Sequence, residues 1–209
     1  ASLCINGSKV DYYGSKASVD KNTPCEEIVP VTHSTCFTID SNLKSIKGFL
    51  CPEQTEITIP KTISNVEIKV IQSGAFSNNH LTKVIVPNTV TDIESYAFSG
   101  NQIADLTLSS SLKTIGAGAF MGNALKNITI PSTLTWIGNA AFIYNSISNL
   151  VIPDKITSIG AQAFMYNTIS SLNIENGVTS IEEQAFAYNS LGSVSIPNSV
   201  TTLGNQAFM

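Results

Sequence analysis

The chain has no arginine; all 11 of its basic residues are lysines. Charged residues make up only 12% of the 209, with a net charge of -4, where an ordinary soluble domain carries about 25%. Nucleic-acid binders present a basic, Arg-rich face, so that class is excluded. A polybasic site for lipid headgroups is excluded on the same ground. No apolar run approaches the roughly 20 residues that a membrane span needs, which excludes direct membrane insertion. Histidine is nearly absent, with only His33 and His80. No nucleophile elbow, phosphate loop, metal-binding helix motif or EF-hand occurs either. The chain therefore reads as a non-enzyme with no cofactor and no metal.

Cysteine is missing after residue 51. The four present are Cys4, Cys25, Cys36 and Cys51. An even number confined to one end fits two disulfides formed in an oxidising compartment. Three pairings are possible, of which Cys4–Cys25 with Cys36–Cys51 is preferred. The rival is a zinc site using His33, which the lack of any Cys-x-x-Cys pair disfavours. The chain begins at Ala1 and shows no leader, which fits an exported protein, extracellular or at a cell surface.

What is abundant is repetition. Seven Ala-Phe pairs recur every 22 residues, from Ala75-Phe76 through Ala97-Phe98, Ala119-Phe120, Ala141-Phe142, Ala163-Phe164 and Ala185-Phe186 to Ala207-Phe208. A fixed period of this size specifies a solenoid, in which each turn buries its apolar face only against its neighbours. Three residues after each of the first six Phe comes Asn, as in Asn101 and Asn145. Then two apolar residues alternate, as in Val84-x-Val86 and Leu150-x-Ile152, usually followed by Pro. Alternation predicts a short strand with one buried face. A second apolar pair such as Val90 and Ile93 predicts another extended segment. Only about one helical turn fits between it and the next Ala-Phe. The predicted fold is a β-rich solenoid of 22-residue turns with short strands and short helical or 3-10 turns. Phe stacks in the core, and Asn serves unpaired backbone groups at the bend.

The stretch ITIPSTLTWIGNAAFIYNSISNLVIP, residues 128–153, resembles the BspA-like, or Treponema-type, leucine-rich repeat. The resemblance covers residues 37–209 and implies a right-handed leucine-rich repeat coil. It also implies a cell-surface or secreted protein, in several cases adhesive toward host proteins or other cells, without shared catalytic residues. Residues 1–36 lack the period and read as a disulfide-pinned cap. Residues 37–70 read as an irregular first repeat with five extra residues, forming a longer strand or a hairpin near Val66–Val70. Residues 71–209 are the regular solenoid. It stops just after an Ala-Phe pair with no cap, so continuation past Met209 or end-to-end self-association is expected.

Candidate binding residues are those that vary between turns. Tyr144, Tyr166 and Tyr188 fall where earlier turns carry Asn78, Gly100 and Gly122. Tyrosine buries area while keeping a polar tip, which suits interfaces. Trp136 is the only Trp and is expected to be exposed. Asn149, Val151 and Asn173 point outward from the predicted strands. The function these features imply is protein-binding through the solenoid surface, with host or neighbouring-cell proteins or a glycan as the expected targets. The alternative is a structural spacer within a larger surface protein.

Overall fold

A computed structural model describes residues 32–209 in full, together with the backbone of three N-terminal strands. Those strands, Ser2–Ile5, Ser8–Tyr13 and Lys16–Pro24, form an antiparallel sheet. They belong to a compact unit spanning Ala1–Pro30, separate from the unit Val31–Met209. The expected Cys4–Cys25 bond lies outside the described residues. Cys36 and Cys51 are joined by a disulfide, which removes both from the rival zinc site.

The larger unit is a β-solenoid with about 22 residues per turn. Its outer wall carries three ladders of backbone hydrogen bonds. The first joins the strands before the proline: Glu56–Thr58, Lys83–Ile85 and Asp105–Thr107 pair in parallel, as do Asn149–Ile152 and Ser171–Ile174. The second is a nine-stranded sheet that takes one short strand from each later turn, such as Asp92–Ile93, Trp136–Ile137 and Thr202–Leu203. The third runs through the Ala-Phe corner, where each Phe N–H donates to the Ala carbonyl of the next turn. The distance is 2.8 Å at every step from Phe76–Ala97 to Phe186–Ala207.

At that corner the expected helical turn takes the form of two overlapping i→i+3 turns, as in Ala97 N–H to the Glu94 carbonyl and Ser99 N–H to the Tyr96 carbonyl. The residue two before each Phe has a positive φ, for example 66° at Gly74, 57° at Tyr96 and 60° at Gln162. A left-handed residue stops a right-handed helix from propagating. It also turns its own N–H along the rod, so that Tyr96 N–H reaches the Ala117 carbonyl at 2.8 Å.

Inside, six phenylalanines from Phe76 to Phe186 are fully buried. Successive rings from Phe76 to Phe208 lie 4.9–5.4 Å apart and within 7° of parallel. At the other end Phe49 and Phe37 tilt by 40° and 68° against Phe76, closing the stack beside the disulfide. The five extra residues are accommodated by a hairpin, Thr62–Ile63 against Val66–Glu67, whose turn residues Ser64 and Asn65 both have positive φ. This conformation is typical of two-residue hairpin loops. Beyond it Val70–Ile71 rejoins the nine-stranded sheet.

Asparagine ties adjacent turns together. Asn101 Nδ2 donates to the carbonyls of Phe76 (2.8 Å) and Phe98 (2.9 Å), while Oδ1 accepts from Leu81 N–H at 3.0 Å. Asn145 and Asn167 repeat the pattern one and two turns beyond Asn123. Glycine sets the spacing at one further column: a Cβ on Gly138 would stand 2.6 Å from Ala117 N in the preceding turn.

Phe142→Ala is expected to cost about 3–5 kcal/mol, as large core truncations do. A melting curve that it leaves unchanged would sink the stacked core. Asn145→Ala strands two carbonyls and one N–H, and should cost roughly 3 kcal/mol in chemical denaturation. A loss below about 0.5 kcal/mol, the scale of an ordinary surface change, would show that these bonds are dispensable.

Candidate functional site

The tyrosines occupy the second left-handed column of the corner, two residues after each Phe. Their φ values are 56°, 54° and 55° at Tyr144, Tyr166 and Tyr188. The same position holds Asn78, Gly100 and Gly122 in earlier turns, also at positive φ. Glycine and asparagine take this conformation readily, whereas a bulky side chain there costs about 1–2 kcal/mol. Three successive turns therefore bear a local cost that the preceding two avoid with glycine. The recurrence of Gly and Asn at the same position of earlier turns was the available signal for this conformation, and it went unread.

The three rings form a continuous stack, with centroids 4.9 Å apart for Tyr144–Tyr166 and 4.6 Å for Tyr166–Tyr188. They remain 55%, 39% and 46% exposed. The residues just before them, Ile143, Met165 and Ala187, are buried in a small apolar cluster of their own, with Met121 and Ala140 packed against it. The ridge thus stands on a packed footing separate from the main core.

Partial desolvation in the stack, and then the charges that Tyr188 and Tyr144 acquire on ionising, raise the pKa of Tyr166 above the ordinary 10.0. A neutral hydroxyl retained more tightly by the folded form stabilises it fully below the ordinary value. That contribution is lost as the pH rises through the folded value.

The outward strand residues Asn149, Val151 and Asn173 lie together elsewhere, on an open groove of about 700 Å³ that Asp105, Asn127 and Thr129 also line. The groove sits where the first ladder is interrupted. Among the described residues, Asp105–Thr107 pairs with Lys83–Ile85 alone, and Asn127 meets Asn149 only through an isolated bridge. Leu106 and Ile128 are half-buried there, although their counterpart Val84 is fully buried. Asp105 forms an ion pair with Lys83 at 3.1 Å. Trp136 stands apart from both places, on the outer face of the nine-stranded sheet, 42% exposed.

A further column went unread in the sequence. Gln162, Gln184 and Gln206 have positive φ and join amide to amide, Nε2 to Oε1, at 3.0 and 3.1 Å. Their 22-residue spacing was the available signal. Among the described residues no helix is long and apolar enough to cross a membrane.

The sequence profile of the BspA type leucine rich repeat region matches residues 30–104, 49–167 and 93–209. The chain belongs to the BspA type leucine-rich repeat family. Its fold is shared with other leucine-rich repeat proteins of known structure. A leucine rich cell surface protein from Faecalibacterium prausnitzii is 23% identical with a TM-score of 0.60, and the match covers 100% of this chain and 52% of that one. The leucine-rich repeat protein of T. pallidum is 21% identical with a TM-score of 0.63, covering 84% of this chain and 82% of its own. A Bacteroides ovatus leucine-rich repeat protein is 20% identical with a TM-score of 0.58, covering 97% and 55%. The chain thus spans about half the length of the first of these. No curated protein sequence matches it.

Tyr188→Phe removes one ionising neighbour and keeps the ring. Followed by residue-resolved NMR of the tyrosine rings, the Tyr166 midpoint should move down toward the ordinary tyrosine value. An unmoved midpoint would show that the two hydroxyls do not sense each other.

Proposed function

We propose that this BspA type repeat is a secreted or cell-surface module that binds a protein on a host or neighbouring cell, with the tyrosine ridge as its contact surface. The observation that carries this reading is the set of three exposed, stacked tyrosines held at positive φ. Glycine or asparagine serves the fold at this position in the earlier turns, so three consecutive exposed tyrosines are a choice that the backbone does not require. Stacked tyrosines are also suited to an interface: they are rigid and apolar on their faces, and each ends in a hydroxyl.

Three other facts support the setting. The Cys36–Cys51 disulfide fits an oxidising compartment. A structural neighbour is named as a cell surface protein. The groove at Asn149, Val151 and Asn173 adds a second polar surface along the rod for a large partner to use.

The test replaces Tyr144, Tyr166 and Tyr188 together by Asn, the residue already present at the equivalent position 78. The variant should keep its circular dichroism and cooperative melting while losing at least tenfold in binding to host-cell surfaces. Undiminished binding would remove the ridge from the reading. If the unaltered chain binds no cell surface or matrix protein, a spacer role takes its place.

A further inference from the structure

The nine-stranded sheet presents one outward side chain per turn in a column that runs Asp92, Thr114, Trp136, Ser158, Ser180 and Thr202. Five of these are small and polar. The sixth is the chain's only Trp, and the sheet gives it no partner of its size. Beside it, toward the preceding turns, Gly116 and Ala117 leave a hollow of about 310 Å³. Trp136 forms one wall, and Ser73, Glu94, Ser95 and Thr114 supply polar groups around it.

The polar groups are oriented by local bonds. Glu94 Oε2 accepts from Ser73 N–H at 2.9 Å and from Ser73 Oγ at 3.0 Å, which fixes the carboxylate. Among the described residues its Oε1 takes no hydrogen bond. Thr114 Oγ1 donates to Asp92 Oδ1, and Thr91 Oγ1 donates to Asp92 Oδ2 at 2.6 Å. The Thr114 oxygen therefore keeps its lone pairs for an incoming donor. The hollow is thus lined by an indole, a carboxylate and hydroxyl groups, with the Asp92 carboxylate bonded to Thr114 behind them.

We propose that this hollow binds one ring of a neutral saccharide. A pyranose has a face of polarised C–H bonds, which packs on the negative face of an indole. Its hydroxyls project around the edge, where a fixed carboxylate and a threonine oxygen can accept from them. Hydrogen bonds to a charged acceptor are the stronger kind. The same carboxylates repel sialic, uronic and sulfated sugars, so the site selects for neutral rings. It lies on a different ladder from the tyrosine ridge, and neither proposal depends on the other.

Because Trp136 is the only Trp, intrinsic fluorescence reports this site directly. The full chain is titrated with glucose, galactose, mannose and N-acetylglucosamine, and separately with sialic and glucuronic acids. At least one neutral sugar should change the emission saturably, and the acids should not. Ala117→Leu fills the hollow, keeps the indole and should abolish the response. Glu94→Gln should weaken neutral-sugar binding and reduce the discrimination against acids. Trp136→Ala, followed by calorimetry, should lower affinity at least tenfold. Circular dichroism checks each variant for folding, and Trp136→Ala decides the matter should Ala117→Leu not fold. The proposal is overturned if no neutral sugar gives a saturable response, if acids bind equally well, or if folded Ala117→Leu binds as before.

Discussion

A turn of a solenoid has only its two neighbours with which to satisfy its backbone. That constraint organises the rest of this structure. Apart from the short i→i+3 turns at the corners, the backbone is paired along the rod: Phe N–H to the next Ala carbonyl, strand to equivalent strand, and Asn side chain to the bends on either side. Each bond requires the next turn to follow the same path in register. The 22-residue period is thus a condition for pairing buried polar groups, and burial of unpaired groups would cost more than any single apolar contact returns. The phenylalanine stack is the apolar counterpart of the same condition. Equivalent rings meet face to face because equivalent backbones already lie about one strand spacing apart.

Within this frame, the column two residues after Phe separates what the fold needs from what it tolerates. The fold needs a left-handed residue there whose N–H points along the rod, as Gly100 does to Met121 and Tyr166 to Ala187. It tolerates tyrosine because the side chain leaves the turn outward and finds a neighbouring ring. Stacking returns about 0.5–1.5 kcal/mol per pair, comparable with the backbone cost. The ridge is therefore near neutral for stability, which leaves the choice of side chain open to other demands. The same logic covers Trp136, since any small polar residue serves that sheet position equally well.

The solenoid, the Phe and Asn columns and the irregular hairpin start were legible from the period, because the fold uses identical residues for identical contacts. The two left-handed columns were harder to see. Only Gly and Asn announce such a backbone, and Tyr144, Gln162 and Ala140 hide it. The interruption at Asn127 was also invisible, since Asn-Ile-Thr-Ile reads as a good strand. Of the candidate residues, Tyr144, Tyr166 and Tyr188 were visibly in one column. That Asn149, Val151 and Asn173 share a groove while Trp136 faces a separate hollow depends on how neighbouring turns meet, which one turn's sequence does not encode.

The first ladder is unpaired between Asp105–Thr107 and residues 127–129 and shrinks to a single bridge between Asn127 and Asn149, so the other two ladders carry most of the pairing between these turns. A rod resists bending through the bonds that must stretch on its outer side. On this face, at this height, those bonds are missing, while the Ala-Phe corner and the nine-stranded sheet stay continuous behind it. Flexing that widens the groove therefore breaks no strand pairing between these two turns, and the two intact ladders would serve as its hinge. Stiffness is thus directional: the tyrosine ridge rides on an intact ladder and keeps its spacing, while the groove can adjust its width to what lies in it.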